Sequence, residues 1–243
     1  MLNKEGDIVQ RYFAIDKINN KMVLEQSDIH HIKNVMRMND GDLIEVVFEE
    51  QLYLCCIANV KFDVQISVKK ELKIDTKKID IVLIIPVLKE QKMDYILQKS
   101  TELGVTKIVP VLTERTIVKL DEKQYLKKKE RWLKICKEAA EQSKRTTVPI
   151  IENMFELKAL KKMPGVSILC STVTKNNIKK YFQTTTICDR INIVIGPEGG
   201  ISIKEEKYLN EIGFESISLG DRILRVETAP LFVLSILNYI NME

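Results

Sequence analysis

Two glycine-containing loops hold the residues that are best suited to chemistry. The apolar run Ile191–Ile195 leads into Gly196-Pro197-Glu198-Gly199-Gly200, and the run Phe214–Leu219 leads into Gly220-Asp221-Arg222-Ile223-Leu224-Arg225. The first glycines of the two loops are 24 residues apart, a spacing that suits two successive β–loop–α units. Ligands of open α/β sheets bind beyond the carboxyl ends of the strands. Both loops could therefore line one site.

The loops do not carry the common nucleotide-binding or nucleophile patterns. The chain contains no G-x-G-x-x-G, no G-x-x-x-x-G-K-[ST] and no G-x-S-x-G. Glycine lets a ligand approach the backbone closely, so the loops suit a cofactor held by main-chain N–H and C=O groups beside apolar walls. The charged residues nearby are Glu198, Arg222, Arg225 and Glu227. The alternative is that these glycines only form turns.

Helix-start signals follow both loops. Ser202 and Glu205 have the spacing of a capping box, which predicts that a helix begins after Ser202. Thr228 and Pro230 predict the start of the last helix, because the first N–H groups of a helix have no intrahelical acceptor and proline is tolerated there. The body of this last helix, Leu231–Tyr239, is apolar on nearly every side.

The larger part of the chain alternates between strand and helix patterns. Ile79–Leu88, Glu90–Leu103 and Lys107–Leu112 read as a β–α–β unit of about 30 residues. A long helix is predicted over Gln124–Ser143, with Leu126, Leu133, Cys136 and Ala140 on its inner face. Further strands are predicted at Val148–Ile151 and Val166–Cys170. This order predicts an α/β domain with a parallel sheet.

The first part of the chain is rich in short β patterns. Between residues 9 and 70, five β-branched or aromatic runs surround one short helix, which Ser27-Asp28 could cap and which would extend to Met36. Such a set predicts a small β-barrel. Leu72–Lys78 is polar and lysine-rich, as expected of a linker. We therefore divide the chain into residues 1–74 and 75–243.

Composition limits the function classes. Net charge is +4, with −2 on residues 1–74 and +6 on the rest. The longest apolar run, Ile79–Leu88, contains Asp80 and Pro86 and is too short to span a bilayer, so we expect a cytoplasmic protein that does not bind membranes. The two histidines, His30 and His31, are adjacent, and the cysteines form no C-x-x-C pair, so we expect no metal. The five cysteines are expected to be small apolar side chains: Cys55, Cys56, Cys136, Cys170 and Cys188.

The two loops resemble those of the SPOUT methyltransferases, and more closely those of the bacterial 16S ribosomal RNA uridine-N3 methyltransferase family. The resemblance extends to Lys92-Met93-Asp94 with Thr101-Glu102-Leu103-Gly104, to Glu138–Arg145, and to Arg11-Tyr12-Phe13 with Val35–Asp42. It covers nearly the whole chain in the same order. Val226 and Pro230-Leu231-Phe232 depart from the family pattern, but neither departure touches the glycines or Arg225.

The resemblance implies an S-adenosylmethionine site within a C-terminal trefoil knot, a PUA-like N-terminal domain and a homodimer. It also implies methylation of N3 of a uridine in 16S rRNA, within the 30S subunit. Alternatives are another SPOUT RNA methyltransferase, acting on a ribose hydroxyl or a purine, or a non-catalytic ribosome-assembly protein. The implied cofactor-binding residues are Leu169, Ile195, Gly196, Pro197, Glu198, Gly199, Gly200, Leu219, Gly220, Ile223 and Leu224.

The substrates of such a reaction suggest roles for charged residues. A uracil imide nitrogen becomes nucleophilic when its proton leaves, and a cation beside the resulting negative charge would help. Arg225 is the candidate for that cation, with an ion pair to Glu198 or Glu227 as the alternative. Glu227 is a candidate general base, although a glutamate in a first turn also complements the helix dipole. The candidate RNA-binding residues are Arg11, Lys33, Arg37, Lys92 and Arg145.

Overall fold

The computed structural model describes residues 9–74, 79–186 and 189–240. The described residues form two compact units. The first contains the residues up to 74 together with Ala140–Thr147, and the second contains the remainder. Part of the predicted linker, residues 75–78, lies outside the described residues, as does Cys188.

The first unit is a closed barrel of five strands in the order β1-β2-β5-β4-β3. The pairs are antiparallel except β1 with β3, which run parallel. Alternate residues point inward, including Ile44, Val46, Cys55 and Ile57, and burial raises the pKa of the Cys55 thiol to about 12. The strands are β1 Arg11–Ile18, β2 Lys21–Leu24, β3 Leu43–Phe48, β4 Gln51–Ala58 and β5 Gln65–Leu72.

The helix of the first unit begins earlier than the sequence predicts. Glu25, not Ser27 or Asp28, precedes the first helical residue, and its side chain makes no capping hydrogen bond. The helix α1 spans Gln26–His30 and continues as one π-helical segment, His31–Val35. Asp28 is a buried residue of the first helical turn, so it belongs to the helix and does not precede it.

The second unit contains a parallel sheet of seven strands. Six of them follow the order β12-β10-β11-β6-β7-β8, and β9 also pairs with β7. The strands are β6 Asp80–Pro86, β7 Lys107–Leu112, β8 Ile150–Ile151, β9 Phe155–Glu156, β10 Val166–Cys170, β11 Arg190–Val194 and β12 Glu215–Ile217. The helices are α2 Glu90–Glu102, α3 Glu122–Gln142, α4 Ile178–Thr184, α5 Ile203–Glu211 and α6 Thr228–Ile240, with a 3₁₀ turn at Leu157–Ala159.

Both faces of this sheet are buried. On β6, Ile81, Leu83 and Ile85 belong to one core cluster, while Val82 and Ile84 belong to another on the opposite face. Burial on both sides explains why the central strands are continuous apolar runs, as is usual in parallel sheets. The predicted α/β domain with a parallel sheet is confirmed.

The inner face of α3 differs in part from the prediction. Cys136 and Ala140 are buried as expected, but Leu126 and Leu133 are exposed. Tyr125 and Trp132 take their places in the core, with their rings edge to face at 5.9 Å. Both sets have helical spacing, so the choice between them depended on which large side chains the sheet could cover. Among the described residues, no helix is long and apolar enough to cross a membrane.

Candidate functional site

Two glycine loops lie at one edge of the parallel sheet. The strand β10 lies between β11 and β12, and all three run in the same direction. The glycine loop 196–200 follows β11 and the loop 219–225 follows β12, so their starting points are two strands apart. The predicted juxtaposition of the two loops at the carboxyl ends of strands is therefore present.

The first loop is a tight turn. Pro197 O accepts a hydrogen bond from Gly200 N at 2.8 Å, and Gly200 has a φ of 71°. A β-carbon on Gly196 would lie 3.1 Å from Ile201 N, so a side chain there would require the backbone to move. The loop then enters α5 through the predicted capping box, in which Ser202 and Glu205 each accept a hydrogen bond from the other's backbone N–H. The capping box is confirmed.

The second loop leaves its backbone open. Gly220 has a φ of 117°, and no heavy atom lies within 4 Å of the position that a β-carbon would occupy. Among the described residues, the N–H groups of Arg222, Ile223 and Leu224 have no hydrogen-bond acceptor. The side chain of Ile223 is 85% exposed. Open donors beside an exposed apolar side chain fit S-adenosylmethionine, which has both polar and flat apolar parts.

Two of the residues predicted to bind the cofactor have buried side chains. Leu169 is completely buried in the core and Ile195 nearly so. Leu169 belongs to the same core cluster as Val194 and Leu209. Any contact of these two residues with a cofactor would therefore be made by the main chain, and their role in the site stays a prediction.

Lys92 connects the two glycine loops through their glutamates. Its Nζ lies 2.7 Å from Glu198 Oε1 and 3.7 Å from Glu227 Oε2. The hydrogen bond from Lys92 lowers the pKa of Glu198, and the same bond raises the pKa of Lys92. At 3.7 Å the contact with Glu227 is an ion pair without a hydrogen bond, and Glu227 Oε2 has no hydrogen-bond partner among the described residues. Lys92, predicted as an RNA contact, is thus part of this site.

Arg225 remains exposed beside these glutamates. Its side chain is 84% exposed, and its guanidinium is 4.0 Å from Glu227 Oε1, at the limit of an ion pair. Glu198 is paired with Lys92 rather than with Arg225. The geometry therefore favours an Arg225 that is available to a ligand over one that is held in a structural ion pair.

Arg115 is a site residue that sequence reasoning missed. It follows β7, and its guanidinium donates a hydrogen bond to Gly199 O at 2.5 Å. The strand β6 separates β7 from β11, so the loop after β7 reaches past one strand to the glycine loop. The signal in the sequence was the position of Thr113-Glu114-Arg115 immediately after a predicted strand, as in both glycine loops.

The other candidate RNA-binding residues belong to the first unit. Arg11 is buried, and its guanidinium bonds to Glu45 Oε2 at 2.8 and 3.0 Å and to the backbone oxygen of Lys144. These internal bonds engage the guanidinium of Arg11, and its phosphate contact stays a prediction. Lys33 bonds to Phe62 O at 3.1 Å, and Arg145 to Thr147 Oγ1 at 3.3 Å, whereas Arg37 is exposed with a φ of 52°.

A separate cavity lies at the opposite edge of the sheet. It has a volume of about 540 Å³ and is lined by Asp80, Gly165, Val166 and Arg190 among others, at the amino ends of β6, β10 and β11. The Asp80 carboxylate bonds there to Arg190 and Thr106. Because the loops with open backbone groups are at the carboxyl edge, this cavity is not part of the candidate site.

Comparison with known proteins identifies the family. Residues 75–238 match the family described as an RNA methyltransferase domain, and residues 24–67 match the RNA methyltransferase PUA domain. The ribosomal RNA small subunit methyltransferase E of Bacillus subtilis is 35% identical over 223 residues, covering 87% of each chain. The PUA-like barrel and the SPOUT-type parallel-sheet domain are confirmed, while the trefoil knot stays a prediction.

Two solved structures with the cofactor are similar over nearly the whole chain. The ribosomal RNA small subunit methyltransferase E from Neisseria gonorrhoeae, bound to S-adenosyl methionine, is 30% identical with a TM-score of 0.86, covering 96% of this chain and 98% of that one. A putative methyltransferase from Legionella pneumophila, in complex with the same cofactor, is 27% identical with a TM-score of 0.85 over the same shares. This chain belongs to the RNA methyltransferase family that includes the ribosomal RNA small subunit methyltransferase E proteins.

Proposed function

We propose that this protein transfers a methyl group from S-adenosylmethionine to N3 of a uridine in 16S rRNA. The observation that carries the proposal is the pair of glycine loops at the carboxyl ends of β11 and β12, in a chain of this family. In the second loop, the backbone N–H groups of Arg222, Ile223 and Leu224 have no acceptor among the described residues. The relatives named above support rRNA of the small subunit as the substrate, and two of the similar structures were solved with the cofactor.

The cofactor would be held mainly by backbone. The loop 196–200 and the segment Leu219–Leu224 offer main-chain N–H and C=O groups, and Ile223 offers an exposed apolar surface. Pro197 is buried and Gly196 is confined by Ile201, so these two residues would offer main-chain groups rather than side chains to the cofactor. When bound, S-adenosylmethionine supplies a methyl group on a sulfonium whose departure leaves a neutral thioether.

The charged residues would act on the acceptor base. Arg225 is exposed and can place a cation beside the uracil oxygens, on which negative charge grows as the imide proton leaves. Glu227 is the candidate acceptor of that proton. Its Oε2 is buried beside Lys92, so the transfer would use Oε1, the oxygen that lies 4.0 Å from the Arg225 guanidinium. Lys92 offsets the negative charge that Glu198 and Glu227 together would present to an anionic base.

The first unit would position the RNA. Its match to the RNA methyltransferase PUA domain supports this role, and exposed Arg37 is the side chain best placed for a phosphate contact. We infer that the substrate is rRNA within the 30S subunit and that the protein works in the cytoplasm as a homodimer.

Three measurements test this proposal. Calorimetry should show that the protein binds S-adenosylmethionine, and labelled methyl groups should enter 30S subunits taken from a strain that lacks the endogenous methyltransferase. Mass spectrometry of the digested rRNA should detect 3-methyluridine. Naked 16S rRNA and 50S subunits serve as controls for the substrate. Methylation of a ribose or a purine would refute the N3 assignment. Failure of the folded protein to bind the cofactor would refute the proposed enzymatic activity.

A further inference from the structure

We propose that Arg115 is a positioning residue that holds the glycine loop 196–200 in its cofactor-binding conformation. This inference rests on the proposed S-adenosylmethionine site. Arg115 lies 84 residues from Gly199 in sequence, and the pairing is created by the fold. We call residues 113–116, which follow β7, the β7 segment.

The first contact is made by the Arg115 side chain itself. Its Nη1 donates to Gly199 O at 2.5 Å, and a β-carbon on Gly199 would lie 3.3 Å from Arg115 Cδ and 3.4 Å from Arg115 Cβ. The aliphatic stem of Arg115 therefore packs against the α-carbon of Gly199 while the guanidinium holds the carbonyl. A side chain at position 199 would displace Arg115. This packing explains why position 199 is a glycine without reference to the ligand.

The second contact fastens the β7 segment to the start of α5. Glu114 N donates to Glu205 Oε1 at 2.8 Å, and the other oxygen of the same buried carboxylate accepts from Ser202 N at 3.0 Å. Within the segment, Thr116 Oγ1 accepts from Thr113 N at 2.9 Å. Arg115 is thus carried by a segment that is anchored on the residues immediately after the glycine loop.

The glycine loop needs such support. Between residues 196 and 201, the described backbone makes one internal hydrogen bond, from Gly200 N to Pro197 O. Three of those residues are glycines, which lose more conformational freedom on ordering than other residues do. When the binding-competent conformation is only partly populated, the apparent dissociation constant rises by the inverse of that population. Loss of the Arg115 contact should therefore weaken cofactor binding without altering the chemical step.

The experiment compares Arg115→Met with Arg115→Lys and with the matched control Lys119→Met. Lys119 is exposed and makes no ion pair among the described residues. Calorimetry with S-adenosylmethionine should show a dissociation constant about fivefold higher for Arg115→Met, the usual effect of one lost hydrogen bond. Arg115→Lys keeps a charged donor and should stay within about twofold of the wild type, as should Lys119→Met.

Kinetics and stability separate positioning from other roles. For Arg115→Met, KM for S-adenosylmethionine should rise in step with the dissociation constant, while kcat at saturating cofactor, rRNA affinity and Tm stay at wild-type values. An unchanged dissociation constant in Arg115→Met, a lower kcat at saturation, or a fall in Tm with fewer binding sites would each overturn the inference. If the wild type itself binds no S-adenosylmethionine, the proposed function fails and this inference fails with it.

Discussion

At the scale of single residues, charge pairing decides which side chain is free to act. Lys92, Glu198, Glu227 and Arg225 lie at one sheet edge, and Lys92 pairs with Glu198 at 2.7 Å. Arg225 keeps only a 4.0 Å contact and an exposed side chain. A cation that is already near the site but not fully engaged can strengthen its contact as the base becomes anionic, which lowers the barrier more than it favours substrate binding.

Arg225→Ala should therefore lower turnover while leaving RNA binding nearly intact. A loss of about 10²–10³-fold in kcat is the usual cost of removing one preorganised group that stabilises developing charge. Single-turnover methylation of 30S subunits, beside filter binding of the same RNA, measures both quantities. Arg225→Lys keeps the charge but not the planar donor geometry, so its kcat should fall between that of the wild type and that of Arg225→Ala. Wild-type turnover in Arg225→Ala would mean that another group stabilises the base.

At the scale of elements, one carboxylate joins two loops and a helix. Glu205 is buried, completes the capping box with Ser202, and accepts a second N–H from Glu114. These bonds satisfy donors that would otherwise be left without a partner where the chain enters α5. The helix start and the β7 segment therefore depend on the same side chain.

Glu205→Ala should destabilise the protein by about 2 kcal/mol, since it removes the cap and leaves buried N–H groups unpaired. Urea unfolding followed by circular dichroism measures this change in the free energy of unfolding. Lys204→Ala, at the adjacent exposed position, is the control and should change it by less than about 0.5 kcal/mol. An equally small effect in Glu205→Ala would show that water replaces these bonds without cost.

The opposite edge of the sheet contains a pH-dependent contact between elements. Burial disfavours the charged form of Asp80, but hydrogen bonds from Thr106 and Arg190, with the charge of Arg190, outweigh burial and hold the pKa of Asp80 below its ordinary value. This contact ties β6 to β11 and to the residue before β7. A carboxyl with a lowered folded-state pKa adds stability above its unfolded pKa, near 4, and loses it as pH falls through the folded value.

Asp80→Asn should accordingly cost about 1 kcal/mol at pH 7, a figure reduced for the partial solvent exposure of the pair. The difference from the wild type should shrink as pH falls below about 4, because the Asp80 carboxyl of the unfolded chain takes up a proton first. It should vanish once the pH is below the lowered pKa of folded Asp80. Urea unfolding from pH 3 to pH 7 tests this, with exposed Asp189→Asn as the control. If the difference in unfolding free energy stays constant from pH 3 to pH 7, the effect comes from the shape of the side chain rather than from its charge.

At the scale of the whole molecule, α6 has an uncovered apolar face. Val233, Leu234 and Leu237 are buried in the second unit, whereas Phe232, Tyr239 and Ile240 on the other face are 39%, 78% and 46% exposed. A helix that is apolar on both sides needs two partners, and the second unit covers one side. This exposed face supports the proposed homodimer.

Phe232→Asp should convert the protein to a monomer at micromolar concentration, because a charge would have to be buried at the interface. Light scattering gives the molar mass, and Lys179→Asp on the exposed side of α4 is the control for added negative charge. A wild-type protein that is monomeric at this concentration would remove the homodimer from the proposal.

The sequence by itself determined the features that depend on neighbouring residues. The β–α order, the capping box of Ser202 and Glu205, the start of α6 at Thr228 and the placement of two glycine loops after parallel strands all follow from local patterns. Periodicity reports which faces are apolar, and short-range hydrogen bonds report where helices begin. The motifs in these elements were also enough to indicate the family.

Only the tertiary structure decided which distant side chains meet. Lys92 and Glu198 are 106 residues apart, and Arg115 and Gly199 are 84 apart. Arg11, expected to bind phosphate, is buried against Glu45, and Tyr125 and Trp132 rather than Leu126 and Leu133 form the inner face of α3. A long charged side chain can pair with any group that the fold brings near it. The strand order and the path of each loop select that group, and neither leaves a periodic signal in the sequence.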